Sequence, residues 1–121
     1  MRHFLIVTDT GDHFSNLMAG LNSRAEAEIH WAASADAALQ AIKEKTPDLM
    51  IIDENVKEVS GLELARMVVI KNAMIHLAVV SSLSAEEFHE AGEGLGIMAH
   101  LPPEPGAGEA EKLLEALAKM P

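Results

Sequence analysis

Asp48 to Leu64 reads DLMIIDENVKEVSGLEL. It opens on an unbroken apolar run, reaches a carboxylate at Asp53, and breaks into a polar loop before Ser60-Gly61 and the spacing of a helix. A continuous apolar run, as opposed to an alternating one, is expected where both faces of a sheet are covered by helices. In parallel α/β proteins ligands and chemistry sit at the carboxyl ends of the strands. Asp53 is therefore the residue whose role has to be explained.

The pattern repeats on both sides of this stretch. HFLIVT (His3 to Thr8) reads as a buried strand ended by Asp9-Thr10-Gly11-Asp12. Phe14, Leu17, Met18 and Leu21 then fall at i, i+3, i+4 and i+7, the stripe of a helix with one buried face. EIHWA (Glu28 to Ala32) is a weaker strand. Ser34 is placed to cap a helix carrying Ala38, Leu39 and Ile42 that stops before Pro47. LMIID (Leu49 to Asp53) is the third strand, and the helix after it turns Leu62, Ala65, Val68 and Val69 inward. HLAVVS (His76 to Ser81) is the fourth strand. Ser84 caps AEEFHEAGEGLG, whose Gly92, Gly94 and Gly96 weaken the second half of that helix. IMAHL (Ile97 to Leu101) is the fifth strand, PPEPG a rigid turn, and Glu109 to Lys119 a last helix with Ala110, Leu113, Leu114 and Leu117 inward. Strands alternating with helices and joined by right-handed crossovers predict a doubly wound parallel α/β sheet with helices on both faces.

A chain of 121 residues, 49% hydrophobic, has the size and apolar stock of one domain with one core, so residues 1–121 are read as a single unit. Aromatics make up only 3%, which suits helices on a sheet better than a β-sandwich. A formal charge of -10 opposes direct binding to nucleic acid. The absence of cysteine removes disulfides, thiolate metal sites and a Cys nucleophile together. No apolar run approaches a signal-peptide core or a membrane span, so the expectation is a cytoplasmic protein.

At the strand ends, Asp9, Asp53 and Ser81 converge in such a sheet. Two facing carboxylates raise one pKa or recruit a cation, and hard oxygen donors suit magnesium. A hydroxyl nearby would stabilise an oxyanion carried on Asp53. The six histidines, His3, His13, His30, His76, His89 and His100, show no pair at the spacing of a zinc helix motif, so a histidine metal cluster is not expected. Gly92, Gly94 and Gly96 are not a phosphate loop, since they follow a helix and lack a Lys-Ser/Thr end.

These residues resemble the receiver domains of two-component response regulators, the CheY-like superfamily with a flavodoxin-like fold of strand order 2-1-3-4-5. DLMIIDENVKEVSGLELAR matches the loop from phosphoacceptor aspartate to glycine, FLIVTDT the first-strand motif, AVVSSLS the fourth-strand motif and GIMAHLPPEP the fifth. The resemblance implies that Asp53 accepts a phosphoryl group from a histidine kinase, a phosphotransfer protein or a small phosphodonor. It further implies magnesium on Asp9, Asp53 and the backbone carbonyl of Asn55, with Ser81 swinging to the acyl phosphate and His100 at the aromatic switch position. An imidazole there can be neutral or charged near physiological pH.

Three positions depart from the family's pattern. Thr8 stands where the first acid of an acidic pair is usual, Lys57 where a loop proline is usual, and Pro103 where the phosphoryl-pairing lysine is expected. The stem of Lys57 is long enough to return an ammonium to the site, although a solvated loop lysine is the simpler reading. The site should therefore bind magnesium more weakly and stabilise phosphoryl charge less, by roughly 1 to 3 kcal/mol per lost charge-assisted bond.

Two functions fit: a receiver that switches on phosphorylation of Asp53, and a degenerate pseudo-receiver that binds partners without it. A small magnesium phosphatase is disfavoured because Asn55 stands where such an enzyme needs a general acid, so no enzyme activity beyond self-phosphorylation is expected. Output is expected through the face of the fourth helix, fifth strand and last helix, rich in Glu86, Glu87, Glu90, Glu93, Glu109, Glu111 and Glu115. Its occupant is expected to be a downstream protein or, as a homodimer, a second copy, with neither nucleic acid nor membrane bound directly. With no effector domain in the sequence, that output passes by protein contact or through the rest of a longer chain.

Overall fold

The apolar runs become the middle of the sheet because no side of them meets water. Phe4 to Val7, Leu49 to Ile52 and Leu77 to Val80 are all buried, at 0 to 2% exposure. The computed structural model describes residues 2–24, 27–57 and 59–119. Five parallel strands, β1 (Arg2–Val7), β2 (Ala27–Ala32), β3 (Leu49–Ile52), β4 (His76–Val80) and β5 (Ala99–Leu101), are ordered β2-β1-β3-β4-β5. Between and after them lie α1 (Ser15–Arg24), α2 (Ala35–Glu44), α3 (Gly61–Lys71), α4 (Ala85–Ala91) and α5 (Ala107–Ala118), with a 3-10 turn at Asp12–Phe14. This is the doubly wound α/β fold read from the sequence.

The strand period of two sorts the core into two layers. Leu5, Val7, Met50, Ile52, Leu77 and Val79 face Ala38 and Ile42 of α2, Ala65 and Val68 of α3, and Phe88 of α4. Phe4, Ile6, Leu49, Ile51, Ala78 and Val80 face Leu17 and Leu21 of α1 and Ala110, Leu113 and Leu117 of α5. Met18, Val69 and Leu114, placed inward by periodicity, lie at the edges of these layers, while Leu64 is fully buried. Ser34 and Ser84 cap as expected, and Ser60 caps α3: the Oγ atoms of Ser34, Ser60 and Ser84 accept from the backbone N–H of Ala37, Glu63 and Glu87 at 3.1, 3.1 and 3.2 Å. Glu87 returns the bond to Ser84 N, completing a capping box.

Several local features differ from the sequence expectation: β5 begins at Ala99 where a strand from Ile97 is expected, and α5 at Ala107 where Glu109 is expected. Helix α4 ends at Ala91, because Gly94 and Gly96 take positive φ of 84° and 66°, which no right-handed helix accommodates. The loop after Asp53 is not irregular but folds into a small antiparallel hairpin, Asn55–Val56 against Val59–Ser60, with Val56 fully buried. Lys57 turns this hairpin at φ 56°, the left-handed region that short hairpin turns demand. No helix among the described residues is long and apolar enough to cross a membrane.

Candidate functional site at the carboxyl ends of the strands

Strands β1, β3 and β4 are neighbours, so their carboxyl ends deliver Thr8-Asp9, Asp53 and Ser81 to one rim. Backbone bonds carry the ladder one step past the strands: Asp53 N–H donates to Val7 O at 2.9 Å and Ser81 N–H to Leu101 O at 3.0 Å. Asp53 is only 7% exposed. Its side chain opens on a cavity of about 420 Å³ lined also by Asp9, Thr10, Glu54, Asn55, Pro103 and Glu104. Four acidic residues, Asp9, Asp53, Glu54 and Glu104, thus line one space, and no basic residue lines it among the described residues.

Asp53, Asp9 and Glu54 are each held by a specific partner. Thr8, 5% exposed, has its Oγ1 2.7 Å from Asp53 Oδ2 and 2.8 Å from Thr10 O. A hydroxyl has one proton, and the carboxylate is the stronger acceptor, so the proton goes to Asp53 while Thr10 N–H donates back to Oγ1 at 3.1 Å. The other carboxylate oxygen, Oδ1, accepts from Glu54 N–H at 2.8 Å. Where the sequence predicts a lost acid at Thr8, the structure shows a neutral donor bonded to Asp53. Asp9 is exposed, and its Oδ2 accepts from Lys57 N–H at 3.2 Å, fastening the hairpin turn over the cavity. Lys57 serves here through its backbone, and its side chain is not among those lining the cavity.

Gly61 lets α3 begin directly under Asp53. A Cβ there would clash with the Asp53 carbonyl oxygen and lie 3.2 Å from Val79 Cγ1, so only glycine permits the approach. Gly61 N–H also donates to Glu54 O at 2.8 Å.

Ser81 is 5% exposed, but its Oγ accepts from Leu83 N–H at 3.1 Å and so belongs to its own turn. It borders a neighbouring cleft of about 240 Å³ with Glu54, Asn55, Ser60, Leu62 and Leu83, not the Asp53 cavity. His100 contacts the same turn: its Nε2 lies 2.9 Å from Ser81 O, and since a carbonyl only accepts, the proton is on Nε2. The imidazole stacks on Phe88 with centroids 4.0 Å apart and planes 6° from parallel. Pro103 and Glu104 carry the loop after β5 to the cavity that Asp53 lines.

Sequence reading missed Glu54. Its Oε2 accepts from both the backbone N–H and the hydroxyl of Ser82, at 2.7 and 2.6 Å, tying the loop after β3 to the loop after β4. These two Ser82 bonds, hydroxyl first, hold the Glu54 carboxyl below its usual pKa. No spacing signal marks this pair, because it exists only where β3 and β4 are neighbours. On the expected acidic face, Glu86, Glu87, Glu90, Glu93 and Glu115 are exposed, while Glu87 and Glu109 also accept from Ser84 N–H and Gly106 N–H as helix caps.

Comparison with known proteins agrees with this architecture. The family model described as the response regulator receiver domain matches residues 4–116. No curated protein sequence matches the chain. Among solved structures, a putative response regulator from Chloroflexus aurantiacus superposes with a TM-score of 0.82 at 24% identity, covering 98% of each chain. The receiver domain of NtrX from Brucella abortus gives 0.81 at 22%, covering 97% of this chain and 99% of that one. The N-terminal domain of an uncharacterized protein from Wolinella succinogenes gives 0.79 at 22%, covering 98% and 94%. A family match over nearly the whole length, on a five-stranded sheet of the same order, shows that the chain belongs to the response regulator receiver domain family.

Proposed function

We propose that the protein is a cytoplasmic receiver of a two-component phosphorelay, in which Asp53 accepts a phosphoryl group from a histidine kinase or phosphotransfer protein. The observation that carries this reading is the placement of a nearly buried carboxylate beside Asp9 and Asn55 in one open cavity at the strand ends. In the transfer, a carboxylate oxygen of Asp53 attacks phosphorus in line, and the bond to the donor's nitrogen or oxygen breaks with its electron pair leaving on the donor. Thr8 orients the nucleophile through Oδ2, and Glu54 N–H holds Oδ1. The donor set of Asp9, Asp53 and the Asn55 carbonyl is all hard oxygen and suits magnesium. Magnesium bound there would neutralise charge on the transferring group.

Ser81 would leave its bond from Leu83 N–H to reach the acyl phosphate, and His100, bonded to Ser81 O and stacked on Phe88, would feel that change. The consequence is a population shift at the face of α4, β5 and α5, whose exposed glutamates suit a basic partner surface. A homodimer through this face is the alternative occupant.

One observation favours a second reading, a pseudo-receiver that binds its partner without phosphorylation. The Asp53 cavity has Pro103 and Glu104 where a cation would pair with phosphoryl oxygens, and Thr8 in place of an acid. Acetyl phosphate or beryllofluoride with magnesium, read by intact mass and NMR, separates the two. A mass increase on wild type that is lost in Asp53→Asn supports the switch. No magnesium-dependent response in either form rejects it in favour of the pseudo-receiver.

A further inference from the structure

We propose that His3, Glu28 and His30 form a second metal site, for a divalent transition ion of the zinc class, at the opposite end of the sheet from Asp53. Strand pairing assembles it. His3 of β1 lies opposite Glu28 of the edge strand β2, and Glu28 and His30, two residues apart, point to the same face. One donor atom from each of the three lies within 4.8 Å of the others. No helical spacing announces such a site, which is why the six histidines appear scattered in the sequence.

The second observation is His3 itself. Its Nδ1 is buried and has no hydrogen-bond partner among the described residues, an exception in folded proteins. The ring stands edge-on to His30 with centroids 4.8 Å apart. Its backbone is fixed on both sides of the peptide, by His3 N–H to Asp48 Oδ2 at 2.8 Å and Asp48 N–H to His3 O at 2.8 Å. The three side chains share a cavity of about 250 Å³ with Leu5, Trp31 and Lys45. Glu28 and His30 keep 43% and 51% of their side-chain surface exposed, so an ion has a path in.

An ordinary ion-pair account covers only part of this cluster. Lys45 Nζ binds Glu28 Oε2 at 3.0 Å, and His30 Nε2 meets Oε1 at 2.5 Å, but neither contact satisfies His3. With Lys45 on Oε2, Oε1 is the oxygen turned to His30. Two imidazoles and one carboxylate are the donor set of zinc sites with three protein ligands and an open fourth position. Magnesium, which demands oxygen ligands, is disfavoured. Bonds of about 2.0 to 2.2 Å require donors roughly 3.3 Å apart, so side-chain rotation opens the His30–Glu28 pair from 2.5 Å and draws in separations of up to 4.8 Å.

The test uses the untagged full chain with zinc alone by native mass spectrometry and calorimetry, and with cobalt by its visible spectrum. One zinc per chain is expected, with a four-coordinate cobalt spectrum and imidazole shifts at His3 and His30. Affinity should fall more than about tenfold in His30→Gln and Glu28→Gln, both on the exposed edge strand where folding is checked by circular dichroism. His76→Gln and Asp53→Asn should bind as wild type does, and excess magnesium should not compete. Absence of a zinc adduct in wild type, or zinc binding that persists in His30→Gln or is lost in Asp53→Asn, overturns the proposal.

Discussion

Thr8→Val tests whether the hydroxyl of Thr8 is coupled to Asp53. Valine keeps the shape of threonine, so the substitution removes a donor without opening a cavity. Both side chains are nearly buried, at 5% and 7% exposure, and the Oγ1 to Oδ2 distance is 2.7 Å, so solvent screens the bond little. A hydrogen bond to a charged group contributes about 1.5 to 3 kcal/mol. Because Asp53 opens on a wet cavity, water replaces part of the loss and the lower end, roughly 1.5 to 2 kcal/mol, is expected. At about 3 to 6 °C per kcal/mol for a domain of this size, Tm should fall by roughly 5 to 10 °C. Urea unfolding of wild type, Thr8→Val, Asp53→Asn and the double variant then forms a cycle whose coupling should be about 1 kcal/mol or more. A single-variant loss below about 0.3 kcal/mol with no coupling refutes the reasoning; the proton would then lie on the alternative acceptor, Thr10 O.

Three further outcomes are expected from the same geometry. Gly61→Ala should cost about 1 to 3 kcal/mol in chemical denaturation and slow labelling of Asp53, since the new Cβ meets the Asp53 carbonyl. Pro103→Lys returns a cation to the lining of the cavity and should speed acetyl-phosphate labelling by about tenfold or more, the rate equivalent of one charge-assisted bond; an unchanged rate would show that charge at this position is not limiting. Glu54→Ala cuts the tie between the loops after β3 and β4, so hydrogen exchange at the Ser82 amide should accelerate while amides in the centre of β3 keep their protection.

Much of the architecture was legible because local chemistry and global fold agree. The apolar runs of β1, β3 and β4 and the capping serines Ser34 and Ser84 each act through neighbours in sequence. Asp53 was legible for the same reason, as the carboxylate that ends a buried strand. The hairpin after it was not, because Asn55–Val56 and Val59–Ser60 are too short to show a period. Neither was the use of Lys57, whose backbone N–H donates to Asp9.

What the sequence by itself determined is the alternation of buried strands and one-sided helices, and with it the rim on which Thr8, Asp9, Asp53 and Ser81 must meet. What only the tertiary structure decided is how those groups are partnered. Thr8 is bonded to the nucleophile and Ser81 to its own turn, Glu54 joins two loops that lie 28 residues apart, and His3 stands against Glu28 and His30. The reason is physical: burial patterns follow from periodicity along the chain, whereas hydrogen bonds and ligand sets depend on ångström distances across strands that sequence order does not contain.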